Sequence, residues 1–151
     1  MSTTASGRRT IDVPREDVWR ALAVLEPYCA VCDVSYVVDA DAAPRAGTTF
    51  VCVPGRLADD GPPETAPRGE IVEWEPPRLV TTRLTLTPER WTTRIELAET
   101  ATGTEVTLTI THEPRGRPLR WRQARAVRRL VQETVEAELA VLPAHVAQAA
   151  G

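Results

Sequence analysis

Two periods run through this sequence. Near the start, Arg9, Ile11 and Val13 share one parity, which predicts a strand over about Gly7 to Val13 after a polar, flexible segment 1–6. Pro14 ends that strand, because proline donates no ladder hydrogen bond. Acidic residues Glu16 and Asp17 then open a helix where its dipole favours them, and Val18, Trp19, Leu22 and Leu25 follow at helical spacing. Pro27 closes this helix, and Tyr28 to Asp33 is expected to form one more short turn.

From Val34 the period becomes two. Expected strands are Val34–Asp39, Thr48–Val53, Gly69–Trp74, Leu79–Leu86, Trp91–Ala98 and Glu105–His112. In the last pair, Trp91, Thr93, Ile95 and Leu97 face one way, as do Val106, Leu108, Ile110 and His112, while threonines and charged residues face the other. One dry and one wet face marks an antiparallel sheet covered on one side. Turn residues join the strands at Pro44–Gly47, Pro76-Pro77, Thr87-Pro88-Glu89 and Ala101–Gly103. The connection Gly55–Gly69 is longer than a hairpin needs and reads either as a flap or as a tolerated surface insertion. The cover is a helix from about Pro118 to Ala149, with Pro143 as a kink point. Its apolar stripe runs through Ala124, Val127, Val131, Val135, Leu139, Leu142 and Val146.

The expected fold class is therefore α+β: one domain over 1–151, with a curved antiparallel sheet of about seven strands on a long C-terminal helix and short helices after the first strand. No apolar run reaches the length of a membrane span, and the polar N-terminus is no secretory signal. Three cysteines, an odd number, fit a reducing compartment and point to the cytoplasm. A net charge of -3 argues against nucleic-acid binding, which needs surplus cations. Every one of the 18 basic residues is arginine, a bias that codon usage in a GC-rich genome explains.

Three stretches resemble the START-like (SRPBCC) superfamily with its helix-grip fold. They are Ile11-Asp12-Val13-Pro14-Arg15-Glu16-Asp17-Val18-Trp19-Arg20-Ala21-Leu22, Gly69-Glu70-Ile71-Val72-Glu73-Trp74-Glu75-Pro76-Pro77-Arg78-Leu79-Val80 and Gly103-Thr104-Glu105-Val106-Thr107-Leu108-Thr109-Ile110. The superfamily includes polyketide cyclases and dehydratases, lipid-transfer domains, the birch-pollen allergen group and homologues of a heat-shock ATPase activator. The chain departs from it after Pro27, where Tyr28-Cys29-Ala30-Val31-Cys32 replaces a frequent bulky aromatic.

What the resemblance implies is a hydrophobic cavity between sheet and helix for a polyketide-, lipid- or isoprenoid-like ligand, with cyclisation or dehydration as the associated chemistry. On the dry faces, Trp91, Ile95, Leu108 and Ile110 from the sheet and Val127, Val131 and Val135 from the helix are the expected lining. Thr82, Thr93 and Thr134 are the expected polar contacts, each equally readable as an ordinary β-former or as a helical hydroxyl bonding its own backbone. His112 and Glu138 are the candidate acid–base groups. The simpler readings are a strand-end histidine and an exposed helix edge.

Two further clusters stand out. Cys29 and Cys32 form a C-x-x-C, with Cys52 as a third thiol; a redox pair, or a zinc site completed by His112, competes with soft residues filling space. Space filling is the simpler reading, so no metal and no cofactor are expected. Arginines 115, 117, 120, 122, 125, 128 and 129 surround Trp121. Arg120, Arg122 and Arg125 are candidates for docking an acidic partner, such as an acyl carrier protein or a chaperone contacted in the activator-like manner. The alternative is a solvated helix face with Arg129–Glu133 paired at four-residue spacing.

Overall fold

The structure is a computed structural model that describes residues 2–23, 25, 27–39, 42–86, 89–114, 116 and 119–150. Its strands are β1 (Thr3–Ile11), β2 (Tyr28–Cys29), β3 (Val34–Val38), β4 (Thr49–Pro54), β5 (Arg68–Glu75), β6 (Leu79–Leu86), β7 (Glu89–Glu99) and β8 (Thr104–Pro114). Its helices are α1 (Arg15–Ala23) and α2 (Trp121–Ala150). All neighbouring strands are antiparallel, in the order β1-β8-β7-β6-β5-β4-β3-β2. The sheet is thus a meander, except that α1 carries the chain from one edge at β1 to the other at β2.

Three expectations change. The sheet has eight strands among the described residues, because Tyr28 and Cys29 pair with Ser35 and Val34 rather than continuing a helix. Asp33 makes the reversal possible by taking a left-handed backbone (φ 53), a conformation that Asp tolerates better than most residues. Only α1 follows the first strand among the described residues, not two helices. Residues Thr3–Ser6, expected to be flexible, pair with His112–Thr109. Their threonines and serine hydrogen-bond across the outer face: Thr4 Oγ1 lies 3.0 Å from Thr111 Oγ1, and Ser6 Oγ lies 3.0 Å from Thr109 Oγ1. Polarity alone disguised a strand edge whose outer face is wet. Met1, Thr87, Pro88 and Pro118 lie outside the described residues.

The core sits where α2 touches the sheet. Val131 and Val135 are fully buried against Leu108 and Ile110, with Trp91, Val127 and Leu139 around them. Gly7 lets the helix come this close. A side chain there would stand 2.7 Å from Leu139 Cδ1 and 3.0 Å from Val135 Cγ1. A second cluster joins Val18 of α1 to Ile11, Leu97, Val106, Leu142 and Val146. A third lies under the other half of the sheet: Ala23, Phe50, Ile71 and Val80, with Trp19 and Trp74 in ring contact at 5.0 Å. A register shift between Ile71 and Glu73 bends β5 there, which increases the local twist of the sheet.

Pro143 lies inside α2 and cannot donate to the carbonyl of Leu139. Arg9 Nη1 on β1 donates to that carbonyl at 2.8 Å instead. The helix therefore continues through its proline, with the sheet supplying the missing donor.

Candidate functional site

Between the C-terminal half of α2, α1 and the curled half of the sheet lies a cavity of about 440 Å3. That volume falls within the range of sites for small organic ligands. Leu22 and Leu25, Phe50, Ile71, Val80, Leu84, Ile95 and Leu108 form apolar walls, closed from the helix side by Leu139 and Leu142. Phe50, the sole phenylalanine of the chain, is the cross-strand partner of Gly69 and packs its ring against it. A β-carbon there would sit 2.2 Å from Phe50 Cζ. Glycine at 69 therefore sets the position of one wall.

Polar groups enter at a few places. Thr82 and Thr93 are direct cross-strand partners and both line the cavity. Tyr36 and Cys52 are likewise cross-strand partners at its far wall. Burial pushes the Tyr36 hydroxyl and the Cys52 thiol above their ordinary pKa ranges, so both are neutral near pH 7. Glu138 stands at the rim. It is exposed to water along part of its length, yet the surrounding protein raises its carboxyl above the usual range by desolvation.

At one end of the cavity two cysteines meet a histidine. Cys29 ends β2, Cys32 lies in the turn after it, and His145 projects from α2. Cys29 Sγ is 3.1 Å and Cys32 Sγ 3.0 Å from the same His145 Nε2. The backbone N–H of Cys32 donates to Cys29 Sγ at 3.4 Å, and that of Val31 donates to Gln148 Oε1 at 3.1 Å. The turn is thus tied to the helix from both sides of the cluster. Cys29 is buried, His145 half-buried and Cys32 exposed. Partial desolvation of its sulfur, with the hydrogen bond to the Cys29 thiol next, pushes the Cys32 thiol up to about 12, and burial lowers the His145 imidazole. All three cysteines are free thiols.

The sequence-derived site divides cleanly. Thr82, Thr93, Ile95, Leu108 and Glu138 line the cavity. Trp91, Ile110, Val127, Val131 and Val135 do not; they are consumed in the direct sheet–helix contact. Thr134 does not either, since its hydroxyl donates to the Leu130 carbonyl at 2.7 Å. His112 is buried away from the cavity, with its ring edge-on to Trp91 at 4.9 Å and Nε2 2.7 Å from Glu89 Oε2. Trp91 Nε1 donates to the same carboxylate oxygen at 3.0 Å. This network closes the end of a strand, and it leaves no role for His112 beside the cysteines.

The histidine that does reach the cysteines, His145, carries no motif in the sequence. Its signal was its rarity: the chain has two histidines, and this one lies beside an apolar helical stripe. Tyr36 was missed because a tyrosine in a short strand is an ordinary β-former. Residues 56–67 line no part of the cavity, so the long connection is no wall of it in this conformation. It is anchored by Gly55 N–H to the Asp33 carbonyl at 2.7 Å and by Cys52 N–H to the Pro67 carbonyl at 2.9 Å.

Residues 2–147 match the family described as polyketide cyclase / dehydrase and lipid transport. The chain belongs to that family. Among curated proteins none matches this sequence. Similar solved structures include the Zhui aromatase/cyclase from Streptomyces sp. R1128, at a TM-score of 0.70 and 15% identity over 99% of this chain and 94% of that one. The di-domain ARO/CYC BexL from the BE-7585A biosynthetic pathway superposes with a TM-score of 0.69 at 18% identity, over 96% of this chain and 50% of that chain. Ara h 8.0201 gives a TM-score of 0.64 at 14% identity over 95% and 99%. At these identities the likeness establishes the fold, the START-like helix grip. Among the described residues no helix is long and apolar enough to cross a membrane.

Proposed function

We propose that this member of the polyketide cyclase/dehydrase and lipid transport family binds a hydrophobic, polyketide-like molecule between the curled half of the sheet and the C-terminal half of α2. The reaction we assign to it is cyclisation or dehydration. The observation that carries this reading is the cavity of about 440 Å3, with apolar walls and the paired hydroxyls of Thr82 and Thr93 on one of them. Apolar walls supply affinity without direction, and a few hydroxyls fix orientation. A flexible poly-carbonyl chain folded in such a space loses its freedom before reaction, which lowers the entropic part of the barrier. The neutral Tyr36 hydroxyl is suited to donate to a carbonyl, and the Glu138 carboxyl at the rim to exchange a proton with water. Free thiols throughout support a reducing compartment such as the cytoplasm.

Native mass spectrometry and thermal-shift screening against polyketides, lipids and aromatic compounds test this reading. One bound molecule per chain is expected. The Thr82→Val/Thr93→Val double variant is expected to bind about tenfold more weakly, the equivalent of about 1.4 kcal/mol of lost hydrogen bonding. Absence of binding across all three compound classes sinks the proposal.

A second reading concerns a partner. Trp121 is 70% exposed at the start of α2, with the Arg122 guanidinium 5.5 Å above its ring. Arg120, Arg122 and Arg125 are all exposed, and the first turn of α2 holds no acidic residue. This surface fits an acidic protein such as an acyl carrier protein, which would deliver the ligand. Arg115 and Arg117 lie outside the described residues. If changing all three of Arg120, Arg122 and Arg125 to glutamine leaves binding of an acidic carrier protein unaltered, the patch is surface alone.

A further inference from the structure

We infer that Cys29, Cys32 and His145 form a three-ligand site for a divalent cation of the zinc class, its fourth coordination position opening into the cavity. The donor atoms all lie within 4.8 Å of one another, and both sulfurs converge on one imidazole nitrogen. They come from separate parts of the chain: the sequence separations from His145 are 116 and 113 residues. In a tetrahedral site with Zn–S of about 2.3 Å and Zn–N of about 2.0–2.1 Å, sulfur and nitrogen stand about 3.6 Å apart. From 3.0–3.1 Å the donors need only part by about half an ångström, within reach of side-chain rotation.

The donor set itself selects the ion. Two thiolates and an imidazole favour zinc and disfavour magnesium or calcium, which take oxygen. Binding forms two metal–sulfur bonds and one metal–nitrogen bond and releases two thiol protons to water, so a divalent ion is charge-neutralised in place. The Cys32 N–H directed at Cys29 Sγ is placed to stabilise the thiolate that results. All three residues line the cavity, and Cys32, which is also exposed, gives the ion a way in. Three protein ligands leave one position for water or substrate, which distinguishes this arrangement from a closed structural zinc site. A ligand carbonyl in the cavity could reach that position. The ion would also join β2, at the edge of the sheet, to the last turns of α2.

The test is zinc content by elemental mass spectrometry on the full chain purified under reducing conditions, followed by cobalt(II) titration of the chelated protein. One zinc per chain is expected, and cobalt is expected to give the intense visible bands of a tetrahedral site with a thiolate charge-transfer band in the ultraviolet. Cys32→Ser and His145→Gln are each expected to weaken cobalt binding at least about tenfold, more than loss of an outer hydrogen-bonding partner. Cys32 is exposed, so its serine variant retains the fold, and circular dichroism verifies that the loss is not unfolding. The inference is overturned if the reduced chain takes up no zinc, if the cobalt complex lacks the thiolate band, or if both variants bind like wild type. It is independent of the ligand reading, because ion uptake is measured with no organic molecule present.

Discussion

The two halves of α2 obey different constraints, although one apolar stripe runs through both. Arg120, just before the helix, and Arg122, Arg125, Arg128 and Arg129 in its first half are exposed near a helix N-terminus, where the dipole already places positive charge. Trp121 and Leu130 stand in solvent there, at 70% and 50% exposure. In the second half, Glu138, Leu139, Leu142 and His145 face the cavity, and Arg9 repairs the hydrogen bond that Pro143 removes. Val131 and Val135, between them, carry the direct contact with the sheet. The middle holds the fold together. The N-terminal half accepts an electrostatic cost, consistent with the partner proposed for it, and the C-terminal half leaves space unfilled, consistent with the ligand proposed above.

The largest effect expected along this helix comes from zinc on its C-terminal half. At about a hundredfold excess over its dissociation constant, zinc is expected to stabilise the reduced chain by about 2.7 kcal/mol, read as a rise in thermal midpoint that His145→Gln abolishes. An unmoved midpoint would place the cysteines with the packing residues. Next comes the middle. Val131→Ala, at a site with no solvent exposure, is expected to cost about 2 kcal/mol by urea unfolding, the low end for aliphatic truncation to alanine. Equal losses for Val131→Ala and an alanine at exposed Leu130 would contradict the division of roles.

Arg9→Ala is expected to cost less, about 0.5–1 kcal/mol, because water replaces the guanidinium at the exposed Leu139 carbonyl. Hydrogen exchange near Pro143 is expected to quicken in that variant. Smallest is the change of Arg120, Arg122 and Arg125 to glutamine. Removing cations from the helix start is expected to raise stability by up to about 0.5 kcal/mol at low salt, an effect that vanishes at high salt. A loss of stability on that change would show that these arginines hold structure and are not kept for a partner.

Much of the fold was legible because it depends on local patterning. Strands β6, β7 and β8 and the stripe of α2 follow from periods of two and of three to four residues, and Pro14 acts through its own missing N–H, whereas α1 ends at Ala23, short of Pro27. Thr82 and Thr93 were legible as hydroxyls on an otherwise apolar face, and the sheet brings them side by side. The short strand β2 was not, since two residues carry no period. Nor was the ordered N-terminus, whose pairing with β8 depends on residues more than a hundred positions away in sequence.

The sequence by itself determined which residues are apolar, where helices and strands can form and which face of each is dry. Tertiary structure decided how that dry surface is used. Val127, Val131 and Val135 look the same in sequence as Leu139 and Leu142, yet the first group is used up in packing on the sheet, whereas Leu139 and Leu142 pack on it and also border the cavity, where α1 joins helix and sheet as a third wall. The same geometry decided between two histidines. His112 shares the parity of its strand and ends beside Glu89, whereas His145 reaches Cys29 and Cys32 only because α1 carries β2 to the far edge of the sheet, opposite the last turns of α2. Periodicity is a property of neighbours in the chain, while a site joins residues that only chain crossing and sheet curvature bring together.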